Sequence, residues 1–349
     1  METGTAMFKE ALLTLAAGRD LDDGIMTACM NAIMNGTAAD VHIASFLTAL
    51  TMKGETAKEI AAAARVMRSK ASAIPLAHKP TECIVDIVGT GGDMAHTFNI
   101  STAAAIVACA AGLCVAKHGN RAATSRCGSA DVLEALGVNI MLSPEQVAEC
   151  MERIGIGFLF ARTLHPAMKY AAAVRSQLGL PTVFNLLGPL TNPADANCLV
   201  LGVNRPDRTA MMASVAGLLG RTRALVVHGL DGLDEISICA PTQVSTYENG
   251  RVTTEIFDPT VELGLSYARR TDITGGDATC NAEKILAVFT GEQGPRRDIV
   301  CLNAAAALVA EGRESSLLQA FEKTAAAVDS GAAMDKLRQL QQITSGFAA

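Results

Sequence analysis

The chain has 349 residues and a formal net charge of −6, from 29 lysines and arginines against 35 aspartates and glutamates. A single hydrophobic core seldom grows to this length, so we expect two domains, or one large α/β domain with an appendage. The acidic balance and the lack of any long basic run argue against a broad surface for nucleic acid or for a membrane.

Ten cysteines are scattered along the chain without Cys-x-x-Cys spacing, so free thiols are expected rather than disulfides or zinc. Residues 1–10 lack the basic start and apolar core of a signal peptide. The longest apolar run, Ala103–Ala116, contains Gly112 and is too short to cross a membrane. These features predict a cytoplasmic protein that does not engage a membrane.

Four short helices are predicted within residues 1–75, where no side chains suggest chemistry. Thr37 and Asp40 are predicted to start one of them, and Thr56 with Glu59 forms a capping box for the next. Helices with so many apolar side chains must bury them, either against the rest of the chain or against a second subunit. The sequence leaves both possibilities open.

The most informative stretch begins with a short apolar run followed by a cluster of glycines. Ile84–Val88 is predicted as a buried strand, and the glycines within 89–92 let bare backbone N–H groups approach a ligand. A helix over 103–111, capped by Asn99 or Ser101, would direct its positive end into the same loop. This arrangement predicts a phosphate-binding cradle.

A second strand, Leu113–Ala116, is predicted to end in a basic and hydroxyl-rich loop that contains Lys117, His118, Asn120, Arg121, Thr124, Ser125 and Ser129. Ligands of open parallel sheets bind at the carboxyl ends of the strands, so both loops should face one crevice. The glycines follow neither the Gly-x-Gly-x-x-Gly spacing nor the Gly-Lys-Ser/Thr motif, which argues against the common dinucleotide and nucleoside triphosphate loops.

An acidic loop follows a further predicted strand, Arg223–His228. Asp231, Asp234 and Glu235 are hard oxygen donors of the kind that hold magnesium together with substrate phosphates. Acidic loops are usually only solvated, but the predicted cradle on the same sheet edge favours a metal role. Ser101 can supply a hydroxyl from the other side.

Residues 165–179 are predicted as one helix with His165, Met168, Ala172 and Arg175 on a single stripe. Periodicity alone favours an ordinary surface or a packing face. The alternative is a binding site, because the guanidinium fork of Arg175 suits a carboxylate.

The remaining elements predict an α/β fold with a small all-helical N-terminal domain and a larger domain whose mostly parallel central sheet is flanked by helices. These elements are a helix begun by Ser143 and Pro144, strands at 157–161 and 198–203, a loop and hinge at 185–197, a helix at 206–220, a hairpin at 244–256 with an Asn249-Gly250 turn, a simple turn at 275–277 and helices from 281 to about 342.

Three motifs resemble the anthranilate phosphoribosyltransferase family, namely Gly89–Asp93, Asn99–Thr102 and Lys117–Arg121. The resemblance continues through residues 165–175, 181–193 and 227–237 and covers nearly the whole chain. Cys127 and Thr124 depart from it, since Ser is commoner at both positions. Substitution is therefore a better interpretation of Cys127 than a reactive thiol.

The resemblance implies transfer of the phosphoribosyl group of phosphoribosyl pyrophosphate (PRPP) to the amine of anthranilate, with Mg²⁺ as cofactor, in tryptophan biosynthesis. It also implies a homodimer formed through the helical domain. The implied domains are 1–75, completed by helices within 165–185, and a PRPP-binding α/β domain made of 76–164 and 186–349.

The resemblance implies three groups of site residues and no general base. The PRPP-binding residues are Gly89, Gly91, Gly92, Asp93, Thr97, Asn99, Ile100, Ser101, Thr102, Lys117, His118, Gly119, Asn120, Arg121, Ala122, Ala123, Thr124, Ser125 and Ser129. The anthranilate-binding residues are Gly89, His118, Asn120, His165 and Arg175. The metal ligands are Ser101, Asp234 and Glu235.

Two other functions remain open at this point. A pyrimidine-nucleoside phosphorylase shares the fold but needs a different base-recognition segment and no paired Asp-Glu metal site. A non-catalytic paralogue that binds nucleic acid or acts as a scaffold would need a basic surface and losses within 117–121, and the sequence has neither.

Overall fold

The computed structural model describes residues 2–77, 83–122 and 126–347. Within these residues four helices precede the first strand, namely α1 (Glu2–Ala16), α2 (Asp23–Met34), α3 (Asp40–Lys53) and α4 (Ala57–Ser69). The predicted capping box is present, because the Thr56 hydroxyl accepts the Glu59 N–H while the Glu59 carboxylate accepts the Thr56 N–H. The helix α3 begins at Asp40 as predicted, but Thr37 does not cap it.

In the part of the chain that the structure describes, seven strands form one sheet in the order β3-β2-β1-β4-β5-β6-β7. The strands are β1 (Ile84–Gly89), β2 (Cys114–Gly119), β3 (Ile156–Phe160), β4 (Cys198–Gly202), β5 (Arg223–Gly229), β6 (Thr242–Glu248) and β7 (Arg251–Phe257). The first five are parallel, whereas β6 and β7 form the predicted antiparallel hairpin. Asn249 and Gly250 turn it with φ of 51° and 78°, as an Asn-Gly hairpin turn requires.

Within the described residues, twelve further helices follow β1. They are α5 (Ile100–Ala110), α6 (Ser129–Ala135), α7 (Pro144–Ile154), α8 (Ala161–Leu164), α9 (Lys169–Leu178), α10 (Phe184–Leu187), α11 (Thr209–Leu218), α12 (Pro259–Glu262), α13 (Ala278–Phe289), α14 (Pro295–Glu311), α15 (Leu317–Asp329) and α16 (Ala332–Ser345). The helix α7 begins with the predicted Ser143 cap and Pro144. Among the described residues, none of the helices combines the length and apolar character needed to span a bilayer.

The chain order of the strands reverses at β1. From β1 the chain moves outward through β2 and β3, then returns to place β4 on the other side of β1. The adjacent strands β1 and β4 end together, with Gly89 opposite Gly202. In open α/β sheets such a reversal leaves a crevice at the carboxyl ends of the strands, and ligands bind there.

The two faces of the sheet pack on different helices. Residues such as Val85 and Val115 join a core formed with α5 and α14. Residues such as Leu201 and Val226 face α4 and α11 and share a core with α1 to α4. The protein therefore consists of a helical N-terminal domain and a larger domain with a mostly parallel sheet flanked by helices, as predicted.

The strand β2 runs to Gly119, three residues beyond its predicted end. Its apolar run stops at Ala116, but Lys117 and His118 remain paired with Phe158 and Leu159 of β3. The expectation that Lys117 and His118 lie in a loop is therefore wrong.

The segment 165–179 is not one helix. His165 has φ −121° and ψ 65° and separates α8 from a 3-10 turn at Pro166–Met168, which leads into α9. The cause is Pro166, since the residue before a proline is pushed out of the helical region. The helix α9 then packs on α2 and α3, where a Cβ at Gly36 would lie 2.5 Å from the Tyr170 ring.

The segment predicted as a loop at 185–197 is also more ordered than its composition suggests. It contains the end of α10 and a 3-10 turn at Gly188–Leu190. Thr191 and Asn192, which follow this turn, are buried. This segment therefore contributes buried groups to the interior beside the sheet.

Candidate active site

The glycine loop, residues 89–98, follows β1 and holds an unusual backbone. Gly91, Gly92, Met94 and His96 all have positive φ, with 53° at Met94 and 54° at His96. This conformation is costly for residues with a side chain and is concentrated at functional sites. The Gly91 N–H donates to Oδ2 of Asp234 at 2.8 Å, so the loop already directs one backbone donor toward an anionic group.

The acidic loop lies directly on the ends of β1 and β4. A Cβ at Gly89 would be 2.5 Å from Oδ2 of Asp234, and a Cβ at Gly202 would be 1.6 Å from its carbonyl oxygen. Only glycine permits this approach at either strand end. Glu235 in turn accepts the N–H of Ser101 through Oε1 at 3.2 Å, so the structure brings Ser101, Asp234 and Glu235 together.

Three carboxylates meet at this point. Burial, together with the neighbouring Asp93, raises the pKa of Asp234 to about 7. Burial also raises the pKa of Glu235 well above its usual value, with Asp234 as the next cause. Among the described residues, no three or more His, Cys, Asp or Glu side chains are arranged so that they could hold a metal ion by themselves. The donor set suits magnesium, which keeps waters and takes substrate phosphates as its other ligands.

Lys117 lies within the sheet and is 4% exposed. Its Nζ donates to the Ile87 carbonyl at 2.6 Å. Burial lowers the pKa of Lys117, whereas Asp86, Glu235 and Asp234 act in the opposite direction. The Lys117 amine is therefore a buried hydrogen-bond donor near β1 and the acidic loop.

The loop after β2 is tied to α6. The Arg121 guanidinium pairs with Asp131 at 2.9 Å and with Glu134 at 2.5 Å. Ser129 Oγ accepts the Asn120 N–H at 3.1 Å. The charge of Arg121 is thus shared with α6. The predicted residues Ala123, Thr124 and Ser125 lie outside the described residues.

Asn99 connects three segments rather than capping α5 with its side chain. Its Nδ2 donates to the Cys127 carbonyl at 3.2 Å, and its Oδ1 accepts from Asn281 of α13 at 2.9 Å. Burial raises the pKa of Cys127 to about 11, so the thiol stays protonated. This agrees with substitution rather than with a reactive thiol.

The turn at 275–277 supports the glycine loop. The Gly275 N–H donates to the His96 carbonyl at 2.7 Å. A Cβ at Gly275 would lie 2.5 Å from the Thr97 carbonyl oxygen and 2.7 Å from the Phe98 nitrogen. Beyond it, Asp277 caps α13. Sequence reasoning treated this segment only as a turn, because its partners lie about 180 residues away.

His118 and His165 form a buried pair with 3.2 Å between their Nε2 atoms. His118 Nδ1 lies 3.1 Å from the Gly188 carbonyl, which only accepts, so we assign the His118 proton to Nδ1. His165 must then donate from Nε2. Its Nδ1 is left as a buried acceptor without a hydrogen-bond partner among the described residues. Burial lowers the two pKa values to about 3 and about 4, so both rings are neutral at physiological pH.

The neutral pair is expected to make the protein acid-sensitive. An unfolded histidine has a pKa near 6.5, so below that pH the unfolded chain binds more protons than the folded chain, and stability falls. The free energy of unfolding is therefore highest above pH ~6.5. It decreases as pH falls toward 4, by up to about 1.4 kcal/mol per pH unit for each ring. Urea unfolding at pH 7, 6 and 5 measures it.

The double variant His118→Asn with His165→Gln keeps a hydrogen-bond donor at each of the two positions. Its free energy of unfolding should change less with pH than that of the wild type. His96→Asn changes an exposed ring and serves as control. Equal slopes for the wild type and the double variant would contradict the assignment of a neutral pair.

Arg175 on α9 is half-buried, and its guanidinium lies 5.1 Å from the centroid of the Phe184 ring. Within the described residues no carboxylate pairs with it. Burial lowers its pKa, although an arginine remains charged. A half-buried guanidinium held by an aromatic ring and without a counter-ion is suited to a ligand carboxylate.

Sequence reasoning missed several residues that shape the site. Gly202 ends β4 just as Gly89 ends β1. A glycine directly after an apolar run is visible in the sequence at both positions, so Gly202 could have been predicted. Asp86, Gly188 and Asn192 gave no comparable signal, because their partners in β2 and near the site are distant along the chain.

Comparison with known proteins identifies the family. Residues 9–71 match the helical bundle domain of the glycosyl transferase family, and residues 81–334 match its a/b domain. Anthranilate phosphoribosyltransferase from Symbiobacterium thermophilum is 51% identical over 341 residues, which cover 98% of this chain and 99% of the relative.

Solved structures agree with this comparison. The crystal structure of anthranilate phosphoribosyltransferase from Thermus thermophilus has a TM-score of 0.90 and 43% identity, and covers 96% of this chain and 99% of its own. The enzyme from Saccharomyces cerevisiae in complex with PRPP and Mg has a TM-score of 0.88 and 28% identity. That match covers 98% of this chain and 99% of the yeast chain. These comparisons do not favour either of the alternative functions. The chain belongs to the anthranilate phosphoribosyltransferase family.

Proposed function

We propose that this protein transfers the phosphoribosyl group of PRPP to the amine of anthranilate, giving N-(5-phosphoribosyl)anthranilate and pyrophosphate in tryptophan biosynthesis. The observation that carries the proposal is the placement of Asp234 against the glycine loop and of Glu235 against the start of α5, with the Lys117 side chain buried near both. A carboxylate pair and an ammonium at the sheet crevice suit a diphosphate that carries magnesium.

The main catalytic task is to stabilise the charge of the departing diphosphate. Backbone N–H groups of the glycine loop and of the start of α5 face this charge, and Lys117 and Ser129 complete the phosphate site. Ser101, Asp234 and Glu235 would hold magnesium. Bound magnesium supplies positive charge that neutralises the diphosphate oxygens.

The acceptor is held in line with the ribose by its carboxylate. Arg175 binds this carboxylate, while His118 and His165 line the acceptor site as neutral rings. The arylamine is neutral at pH 7 and already nucleophilic, so positioning supplies the rate enhancement. We assign no general base.

The acceptor site lies between the two domains. We propose that residues 165–185 return to the helical domain formed by 1–75, and that 76–164 and 186–349 form the PRPP-binding domain. The packing of α9 on α2 and α3 supports this division. The contact of His165 with His118 of β2 supports a site at the junction.

The test of function is the loss of anthranilate fluorescence when the purified protein is mixed with PRPP, with and without magnesium. Magnesium-dependent loss is the expected result. No loss from a folded protein would overturn the proposal. We place the reaction in the cytoplasm, because buried cysteines such as Cys29, Cys150 and Cys301 are free thiols, as is usual in a reducing compartment.

We also propose that the helical domain forms a homodimer. Leu13 of α1 and Val41 and Met52 of α3 are 62%, 69% and 83% exposed, and α1 packs on α3. Exposed apolar side chains on adjacent helices favour an interface with a second copy.

Changing Leu13 and Val41 to Glu should therefore yield a monomer by light scattering. Met141→Glu changes an equally exposed side chain on the other domain and should keep the dimer; a wild-type monomer would refute the proposal.

A further inference from the structure

A buried asparagine near the start of α13 joins two segments of the candidate site. Asn281 is 1% exposed. Its Oδ1 accepts the Gly276 N–H at 2.7 Å, and its Nδ2 donates to Oδ1 of Asn99 at 2.9 Å. The side chain is enclosed by the protein, so any effect of Asn281 on a reaction passes through these neighbours.

The Gly276 N–H determines which way the Asn281 amide points. A backbone N–H only donates, so the Asn281 oxygen must face Gly276 and its nitrogen must face Asn99. Asn99 then has to present its own oxygen to Asn281, and this directs its Nδ2 to the Cys127 carbonyl at 3.2 Å. The Cys127 thiol donates to the same Asn99 oxygen at 3.3 Å. The orientations of two amides are therefore set by one backbone donor.

The turn that contains Gly276 is itself held against the glycine loop. Thr274 pairs with Thr97 in an antiparallel bridge, and the Gly275 N–H donates to the His96 carbonyl at 2.7 Å. Gly276 thus has a fixed place beside the glycine loop, and so does the Asn281 amide that it orients.

The orientation of the Asn99 amide decides what this residue presents to a ligand. Asn99 directly precedes α5, at the helix start that faces the diphosphate in the proposed reaction. Its Nδ2 carries two N–H groups, and within the described residues one of them is bonded, to the Cys127 carbonyl. The other can donate to a phosphate oxygen. An amide turned over would present its oxygen instead, and two acceptors would repel each other.

We infer that Asn281 is a positioning residue of the proposed reaction, which acts by fixing the orientation of the Asn99 amide and, through Asn99, the place of Cys127 in the loop after β2. The inference rests on the proposed function, because it takes Asn99 as one of the PRPP-binding residues.

The variant Asn281→Asp keeps the shape of the side chain and the acceptor for the Gly276 N–H. It replaces the donor that faces Asn99 by a second oxygen. The Asn99 amide must then turn over to donate to this carboxylate, which directs its oxygen at the Cys127 carbonyl and at the phosphates. The affinity for PRPP should fall by about tenfold or more, as expected for the loss of one hydrogen bond to a charged group.

Calorimetric titration of PRPP in the presence of magnesium measures this effect without turnover. Thr279→Asp, at an exposed position of the same helix, controls for the added charge. Asn139→Asp controls for lost stability, because the Asn139 amide likewise accepts a backbone N–H, from Met141 at 3.0 Å, and donates to the Thr344 carbonyl at 3.4 Å. Both controls should keep the PRPP affinity within about twofold of the wild type.

A folded Asn281→Asp protein with wild-type PRPP affinity would overturn the inference, and so would an equal loss of affinity in Thr279→Asp. Should Asn281→Asp not fold, Asn99→Ala is compared with the Asn99→Ala/Asn281→Asp double variant, in which the new carboxylate no longer faces an amide oxygen. The inference predicts PRPP affinities within about twofold of each other, since Asn281 acts through Asn99. A further loss of about tenfold in the double variant would refute it.

The proposed function is tested separately, by turnover of anthranilate by the wild type. A wild type that binds PRPP without turnover would contradict the proposed function alone. Equal PRPP affinities of the wild type and of Asn281→Asp would contradict the inference alone.

Discussion

Changing Asp234 and Glu235 to Asn and Gln is expected to lower kcat/KM for PRPP by about 10²–10³, the range seen when a preorganised group that stabilises developing charge is removed. The half-saturating magnesium concentration should rise in parallel. Asn can still accept the Gly91 N–H that Asp234 accepts at 2.8 Å, so the glycine loop should keep its shape. The loss therefore reports on charge rather than on folding.

A magnesium titration of turnover, at saturating anthranilate, measures this effect. The matched control is Asp231→Asn on the same loop, because Asp231 is bound instead by Ser237 at 3.2 Å and Arg270 at 3.5 Å. Its magnesium response should stay close to that of the wild type. An unchanged titration in the Asp234 and Glu235 variant would remove these residues from the metal site.

The same variant should be at least as stable as the wild type. Burial and Asp93 raise the pKa of Asp234, which means that the folded protein without cation holds like charges close together. Removing two of these charges relieves that repulsion. Thermal unfolding without magnesium checks this, and a lower Tm would mean that the carboxylates contribute more as hydrogen-bond acceptors than they cost as charges.

The parts of the fold that follow from neighbouring residues were predicted from the sequence. The Thr56–Glu59 capping box, the Ser143-Pro144 helix start and the Asn249-Gly250 turn each involve residues within a few positions, so composition and spacing suffice. The strand β2 was predicted too short, because pairing with β3 holds Lys117 in the strand despite its polarity.

The site residues show the same limit. The sequence motifs predicted which residues gather at the crevice, and the structure brings Asp234 to the glycine loop and Glu235 to Ser101 at the start of α5. The hydrogen-bond and ion-pair partners of these residues could not be predicted in the same way. The Asn99 side chain is bonded to Asn281, 182 positions away, and Arg121 is paired with carboxylates of α6. Such contacts depend on how distant segments pack, which no local pattern records.

Replacing Arg175 by Ala is expected to raise KM for anthranilate by about two orders of magnitude, corresponding to about 2–3 kcal/mol for a bidentate carboxylate contact, with much less change for PRPP. The reason is the half-buried guanidinium over Phe184, which has no carboxylate partner within the described residues. Initial rates with each substrate varied in turn separate the two effects.

The matched control is Lys169→Ala, which removes a positive charge from an exposed position on the same helix and should leave both KM values near those of the wild type. Aniline, an acceptor without the carboxylate, supplies a second control from the substrate side. It should react poorly with the wild type and equally poorly with the Arg175→Ala variant, because the lost contact is absent in both. If the Arg175→Ala change instead raised KM for both substrates equally, Arg175 would be a structural residue of the domain junction, and the acceptor carboxylate would need another partner.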